Sequence, residues 1–337
     1  MNQKRMIISL ILVFLCYILV NVPYVCSTDF YVGDSEDCDF SFIKDALNNS
    51  VDGDSIFVKN GLFNESFIVD KSIDLVGDDK NSTIIYNNHS NYLIVIDSDY
   101  VNISNFTIKN GLIGVYISGY NKSNNVNISN NIFLNNSNSI YLGEGSRSNQ
   151  FYNNFFSIGQ EAIVLFNSSH NLFDNNYLET HDAYGISCWN QSNSNVFLNN
   201  TIDRCTYSFF LSEWSNNNTI IGNEILNNNA ISISLSFSFN NLISENVLDG
   251  FNRGIYLENS GNNLIIDNYI SNMDIFGIGT KDSDSNVIVN NSFFNCRDDM
   301  QDEVKSSLSI SVYWLILLLV VSFVFVFVYT NYKEKNK

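Results

Sequence analysis

Past the first hundred residues, side chains able to do acid–base or electrophilic chemistry are few: Lys109, Lys122, Arg147, Arg204, Arg253, Lys281 and Arg297 supply all the positive charge between there and Lys305. Arg204 and Arg253 each precede an apolar strand-like run, and Asp203, Asp249 and Asp182 stand where the repeat described below brings them to the same side. An arginine beside carboxylates is what cleavage of a polysaccharide requires, either as base and calcium site or as acid and base across a glycosidic bond. Solvated turn residues and local ion pairs are the plainer reading of the same residues, and the one preferred here. Soft-metal chemistry has less support. His89, His170 and His181, four methionines and six cysteines are scattered, without a CxxC pair, so neither copper nor zinc is expected. No cofactor is expected, with calcium entering only if the chain is an enzyme.

The elements that hold these residues follow from an internal repeat. Asn105, Asn130, Asn154, Asn176, Asn200, Asn223, Asn246, Asn268 and Asn291 recur at steps of about 23 residues. A second asparagine series, Asn125, Asn149, Asn171, Asn195, Asn218, Asn241, Asn263 and Asn286, runs five residues ahead. Apolar residues alternate around the first series, as with Val196, Leu198 and Ile202 about Asn200, which is strand periodicity. A second short strand follows in most repeats, as in Val115-Tyr116-Ile117 and Phe209-Phe210-Leu211. No single coil of such strands buries its apolar side, so the coils must stack. About twelve coils at roughly 4.8 Å would form a rod on the order of 55 Å long. Asparagine suits the corners twice over. It tolerates left-handed backbone, and an inward amide can bond the next amide along the stack. Sequons at Asn64, Asn102, Asn121, Asn167 and Asn190 are candidate glycan acceptors where they face outward.

With the flanking aliphatics turned inward, Tyr116, Tyr141, Phe210 and Tyr256 face outward in one file, interrupted by Val164 and Ser187. Trp189 and Trp214 follow their strands closely. Such rings are platforms for the apolar faces of sugars, or else ordinary residues of a solvated sheet.

Residues 28–100 have another pattern. Asp39 to Leu47 reads as a short amphipathic helix with Phe42, Ile43, Ala46 and Leu47 on one face, placed to cap the first coil. The runs GDSIFV (53–58) and GLFNESFIVDKSIDLVG (61–77) follow. On these and the repeats, residues 29–296 resemble the pectin-lyase-like right-handed parallel β-helix superfamily, closest to NosD-like and surface-adhesin-like proteins. The resemblance implies the fold, with Glu65 and Lys71 orienting the first coils. It leaves activity open, since the superfamily includes lyases, hydrolases, carbohydrate binders and non-enzymatic surface proteins.

The ends set a topology. Lys4 and Arg5, the apolar run Met6 to Val20 and small residues near Ser27 form a signal segment over 1–27. Residues 297–310 read as a stalk, 311–330 as one transmembrane helix with Tyr313, Trp314, Tyr329 and Tyr332 at its rims, and 331–337 as a basic cytoplasmic tail. The net charge of −18 excludes nucleic acid as a partner. The sequence therefore describes an all-β, right-handed parallel β-helix with an N-terminal capping helix, anchored by a C-terminal span and displayed outside the cell membrane. It reads as non-enzymatic, with the membrane and cell-envelope glycans or polysaccharide as partners. A polysaccharide lyase or hydrolase is the first alternative, and a NosD-like accessory protein of copper-enzyme maturation the second.

Overall fold

A computed structural model describes residues 27–87, 91–119, 123–250 and 252–301. The signal segment, His89, Asn121, most of the stalk, the expected span and the tail lie outside the described residues. Among the described residues, no helix is long and apolar enough to cross a membrane.

The chain winds as a right-handed parallel β-helix of about 12 coils. Each regular coil has three strands, as in Val196–Leu198, Thr201–Asp203 and Tyr207–Leu211. Each strand pairs in parallel with its copies one coil before and one after: Val196–Leu198 lies between Leu172–Asp174 and Thr219–Ile221. The first strands form a continuous sheet of 12.

Strand length decides which residues reach the interior. The first two strands of a coil are three residues long, so only the middle side chain turns in. Phe197 and Ile202 are fully buried, while Val196 and Leu198 are half-buried on the outer surface. The alternating set expected around Asn200 was therefore out of phase on its N-terminal side. The buried middle positions stack ring on ring: Phe151–Phe173 at 4.6 Å, Phe173–Phe197 at 5.2 Å and Phe133–Phe156 at 4.8 Å.

Two asparagine ladders line the corners. In the first, Asn131, Asn154, Asn176, Asn200, Asn223, Asn246 and Asn268 each donate their backbone N–H to the amide oxygen of the next member at 2.8–3.1 Å, ending on Asn291. The second links Asn149, Asn171, Asn195, Asn218, Asn241, Asn263 and Asn286 in the same way. These bonds satisfy corner amides that would otherwise be buried without partners. Asn105 and Asn130 are not in the inner ladder. They occupy the position just before it, where the backbone is left-handed (φ 65° and 56°), and Phe106 and Asn131 take the inner place. That outer file continues through Asn153, Asn175 and Asn199. Turning the chain and lining the interior are thus the work of two adjacent residues.

At the N-terminal end, helix α1 (Ile43–Asn49) turns Ile43, Ala46 and Leu47 inward, while Phe42 is 57% exposed just before it, off the apolar face where the sequence placed it. Both ends of α1 are held by side chains from the first coils. Glu65 accepts hydrogen bonds from the N–H groups of Ile43 and Lys44, each at 3.0 Å, and Lys71 donates to the carbonyl of Leu47 at 2.6 Å. A carboxylate at the helix start and an ammonium at its end both complement the helix dipole.

Candidate carbohydrate-binding face

From Tyr92–Ile96 to Phe276–Lys281 the third strand of a coil is five or six residues long, except where it runs on from the second strand in Phe155–Phe166 and Tyr177–Trp189. Its first and fourth side chains turn away from the core. In Tyr207–Leu211 these are Tyr207 and Phe210, with Ser208, Phe209 and Leu211 buried. Stacking makes two outward files. The register places Tyr116, Tyr141, Val164, Ser187, Phe210, Ser234 and Tyr256 in one. The other holds Tyr92, Ile113, Asn138, Glu161, Tyr184, Tyr207, Ile231, Arg253 and Phe276.

The rings of these files touch. Tyr92 lies 5.1 Å from Tyr116, and Tyr116 5.8 Å from Tyr141. Further along, Tyr184 lies 5.4 Å from Tyr207 and 5.0 Å from Phe210, and Trp189 lies 4.9 Å from Phe210. Between the two groups sits Glu161, whose carboxylate accepts a hydrogen bond from Ser187 at 2.7 Å. The sheet breaks register at this place, between Gly159 and Glu161, so that His181 to Tyr184 carries one residue more than the coil before it. Bulges of this kind re-aim side chains and recur beside functional sites. Burial pushes the Glu161 carboxyl above the ordinary carboxylate range, opposed by the Ser187 bond. Burial also raises the phenols of Tyr141 and Tyr184, and the nearby negative charge of Glu161 adds to it.

Of the aromatic residues singled out in the sequence, Tyr116, Tyr141, Phe210 and Trp189 meet on this face. Tyr256 shares the file but sits beyond Ser234, 5.9 Å from Phe276. Trp214 stands apart on a left-handed corner, 55% exposed and stacked on Phe239 at 5.4 Å. Glu161, Tyr92, Tyr184 and Tyr207 were missed. Their signal was available: each stands three residues before a member of the outward file.

The candidate acid–base residues do not assemble into one site. Arg204 binds Glu179 at 2.9 Å and Asp203 at 2.5 Å, an ion-pair cluster at the corner after the second strand. Asp203 also accepts from Asn227 at 2.9 Å. Asp249 lies two coils further along the same file and accepts from Ser271 and Asn272. Asp182 is exposed in the bulge between His181 and Tyr184 of the strand Tyr177–Trp189, where its backbone carbonyl accepts from Thr206. Arg253 belongs to a different strand file, with its guanidinium 5.7 Å from the Phe276 ring centre.

Inside the corner after the second strand, His181 and Cys205 are fully buried neighbours, Nδ1 to Sγ 3.9 Å. Burial lowers the His181 pKa to about 4 and raises that of Cys205 to about 12, so imidazole and thiol are both neutral at pH 7. Cys38, Cys188, Cys205 and Cys296 are all free thiols.

This architecture is that of a right-handed parallel β-solenoid, and two stretches of the chain match family models. Residues 157–316 match the family described as periplasmic copper-binding protein (NosD), and residues 79–225 match the right-handed β-helix region family. Among curated proteins, none matches the chain by sequence. Similar solved structures include the catalytic unit of a GH87 α-1,3-glucanase from Streptomyces thermodiastaticus strain HF3-3, at 10% identity and TM-score 0.59, over 79% of this chain and 66% of that one. XylC in complex with xylose is similar at 12% identity and TM-score 0.62, over 75% and 70% of the two chains. DFA-IIIase from Arthrobacter chlorophenolicus A6, in complex with GF2, matches at 12% identity and TM-score 0.56, over 77% and 89%. At these identities the likeness is one of fold.

Proposed function

We propose that this protein is a non-enzymatic, glycan-binding rod displayed outside a membrane, held there by residues 311–330 and carrying α1 as a cap on its first coil. The observation that carries the reading is the run of aromatic rings from Tyr92 to Phe210, built in register over six successive coils around one carboxyl group. Aromatic faces supply apolar contact for sugar rings, and Glu161 and Asn138 supply hydrogen-bonding groups between them. The xylose and GF2 of the similar structures were bound to rods of this fold, which supports the choice of ligand class.

A hydrolase is the second reading, favoured by Glu161 alone. A carboxyl held above its ordinary pKa suits a general acid, but cleavage needs a second carboxylate at a defined separation. The outward positions of the neighbouring third strands offer Asn138, Tyr141, Tyr184 and Ser187 instead. Copper does not fit the soft donors. His181 and Cys205 make only a pair, their thiol is held neutral, and among the described residues no group of three His, Cys, Asp or Glu can hold a metal.

The test is incubation of the purified full chain with immobilised polysaccharides, calcium present, followed by assay of both bound protein and released sugar. Retention without product is expected. Released sugar that disappears in Glu161→Gln would make the protein an enzyme and sink this reading.

A further inference from the structure

We infer that the ligand of this face is an extended, uncharged polysaccharide lying parallel to the rod axis, about one sugar per coil, and that polyuronates are excluded. This inference rests on the glycan-binding reading and adds the direction and charge class of the ligand.

The direction follows from register. Equivalent outward positions repeat every coil at roughly 4.8 Å, close to the length of one pyranose unit in an extended chain. The rings follow that rise: 5.1 Å from Tyr92 to Tyr116, 5.8 Å on to Tyr141, and 5.4 Å from Tyr184 to Tyr207. A glycan running along the rod meets rings on three coils, Glu161 on the fourth and rings again on the next two, whereas one crossing it leaves the aromatic files after a single coil. At the N-terminal end the track runs into a groove of about 430 Å³ beside α1, where Tyr92 shares the lining with Leu47, Phe67, Ile68, Lys44 and Asp70. That volume suits a small ligand or the end of a longer one.

The charge class follows from what the face lacks. From Tyr92–Ile96 to Tyr207–Leu211, the first and fourth outward positions of the third strands hold one carboxylate, Glu161, and no Lys or Arg. A polyuronate would set a carboxylate beside Glu161 and along a chain of net charge −18, with Lys44 at one end of the track and Arg253 beyond the other but no cation at the outward positions between Tyr92 and Phe210. Calcium bridging, the usual remedy, needs clustered oxygen ligands, and no group of three acidic side chains able to hold a metal occurs among the described residues. A neutral sugar meets no such repulsion, and its hydroxyl groups can donate to Glu161 and Asn138.

The experiment compares the full chain on β-glucan, xylan and mannan with the full chain on polygalacturonate and alginate, each with and without calcium. We expect at least one neutral polymer to bind about 100-fold more tightly than either polyuronate, unchanged by calcium. Affinity for oligosaccharides of that polymer should rise with length to about six sugars. Tyr141→Val places at this position the residue that the next coil already carries, Val164. It should cost about tenfold in affinity at unchanged melting temperature, the size expected for one lost ring. Polyuronate bound as well as or better than any neutral polymer, or affinity that stops rising at a disaccharide, overturns the inference and leaves the glycan-binding reading standing. Failure of a cooperatively melting protein to retain any polymer overturns both.

Discussion

At the scale of single residues, two buried titratable groups act on stability with opposite sign. His181 has its pKa lowered to about 4 from 6.5, so the unfolded chain binds the proton more tightly. Its contribution is complete above pH 6.5 and falls away as pH drops toward 4, by roughly 3 kcal/mol over that window. Glu161 is raised above its reference value of 4.5, so the folded chain holds the proton longer. Its contribution is largest below pH 4.5 and declines as pH rises through the folded pKa. Urea midpoints at pH 4, 5.5 and 7 separate the two. His181→Gln should flatten the loss between pH 6.5 and 4, and Glu161→Gln should stabilise the protein at pH 7 but not at pH 4. Parent-like pH slopes in both variants would show that neither group titrates as its burial requires. Neither effect was legible in the sequence, where His181 was one of three scattered histidines and Glu161 drew no notice. The place of Glu161 three residues before Val164 marks an outward position, but its burial and its bond to Ser187 depend on side chains one coil away.

At the scale of the element, the corner and the short strand are the units, and here the sequence was most informative. A step near 23 residues, with asparagine pairs five apart, gave the solenoid, the two ladders and the outward aromatic file. The phase within a coil was harder to read. Asn105 and Asn130 fill the left-handed position while Asn154 and its successors fill the inner one, and adjacent asparagines such as Asn153-Asn154 and Asn199-Asn200 hide the difference. Three-residue strands also carry too little alternation to show that Phe197, and not Val196 or Leu198, is the core residue. The inner role is testable at Asn200. Its amide accepts from Asn176 and donates to Phe173 and Asn223, so Asn200→Leu strands groups in three coils. Each buried group left unpaired costs roughly 1–3 kcal/mol, and a clear fall in melting temperature is expected. Asn199→Gly, one residue earlier in the exposed left-handed position, should cost far less in the same assay, because glycine adopts that backbone freely and only the exposed 3.3 Å bond to Asp174 is lost. Equal effects at the two positions would contradict the division of labour between them.

For the whole molecule, the question is how a stack of identical edges remains a single rod. Every coil presents unpaired strand edges until the next coil covers them, so the first coil is open to pairing with another molecule unless something lies over it. Helix α1 is the proposed cover. Its apolar residues Ile43, Ala46 and Leu47 are buried, and its ends are tied by Glu65 and Lys71. The opening motif contained both of these residues, but their partners are 21–24 positions away and could not be named from spacing. Replacing both ties, in Glu65→Ala with Lys71→Ala, leaves the core of every later coil intact while removing both end contacts of a seven-residue helix too short to persist alone. The purified double variant should therefore keep its β-sheet circular dichroism and gain concentration-dependent association, seen by light scattering at concentrations where the parent stays monomeric. A head-to-tail contact of this kind does not close on itself, so the particles should grow with concentration instead of stopping at a dimer. A double variant that keeps its fold and scatters like the parent at every concentration would show that α1 does not guard the end of the rod.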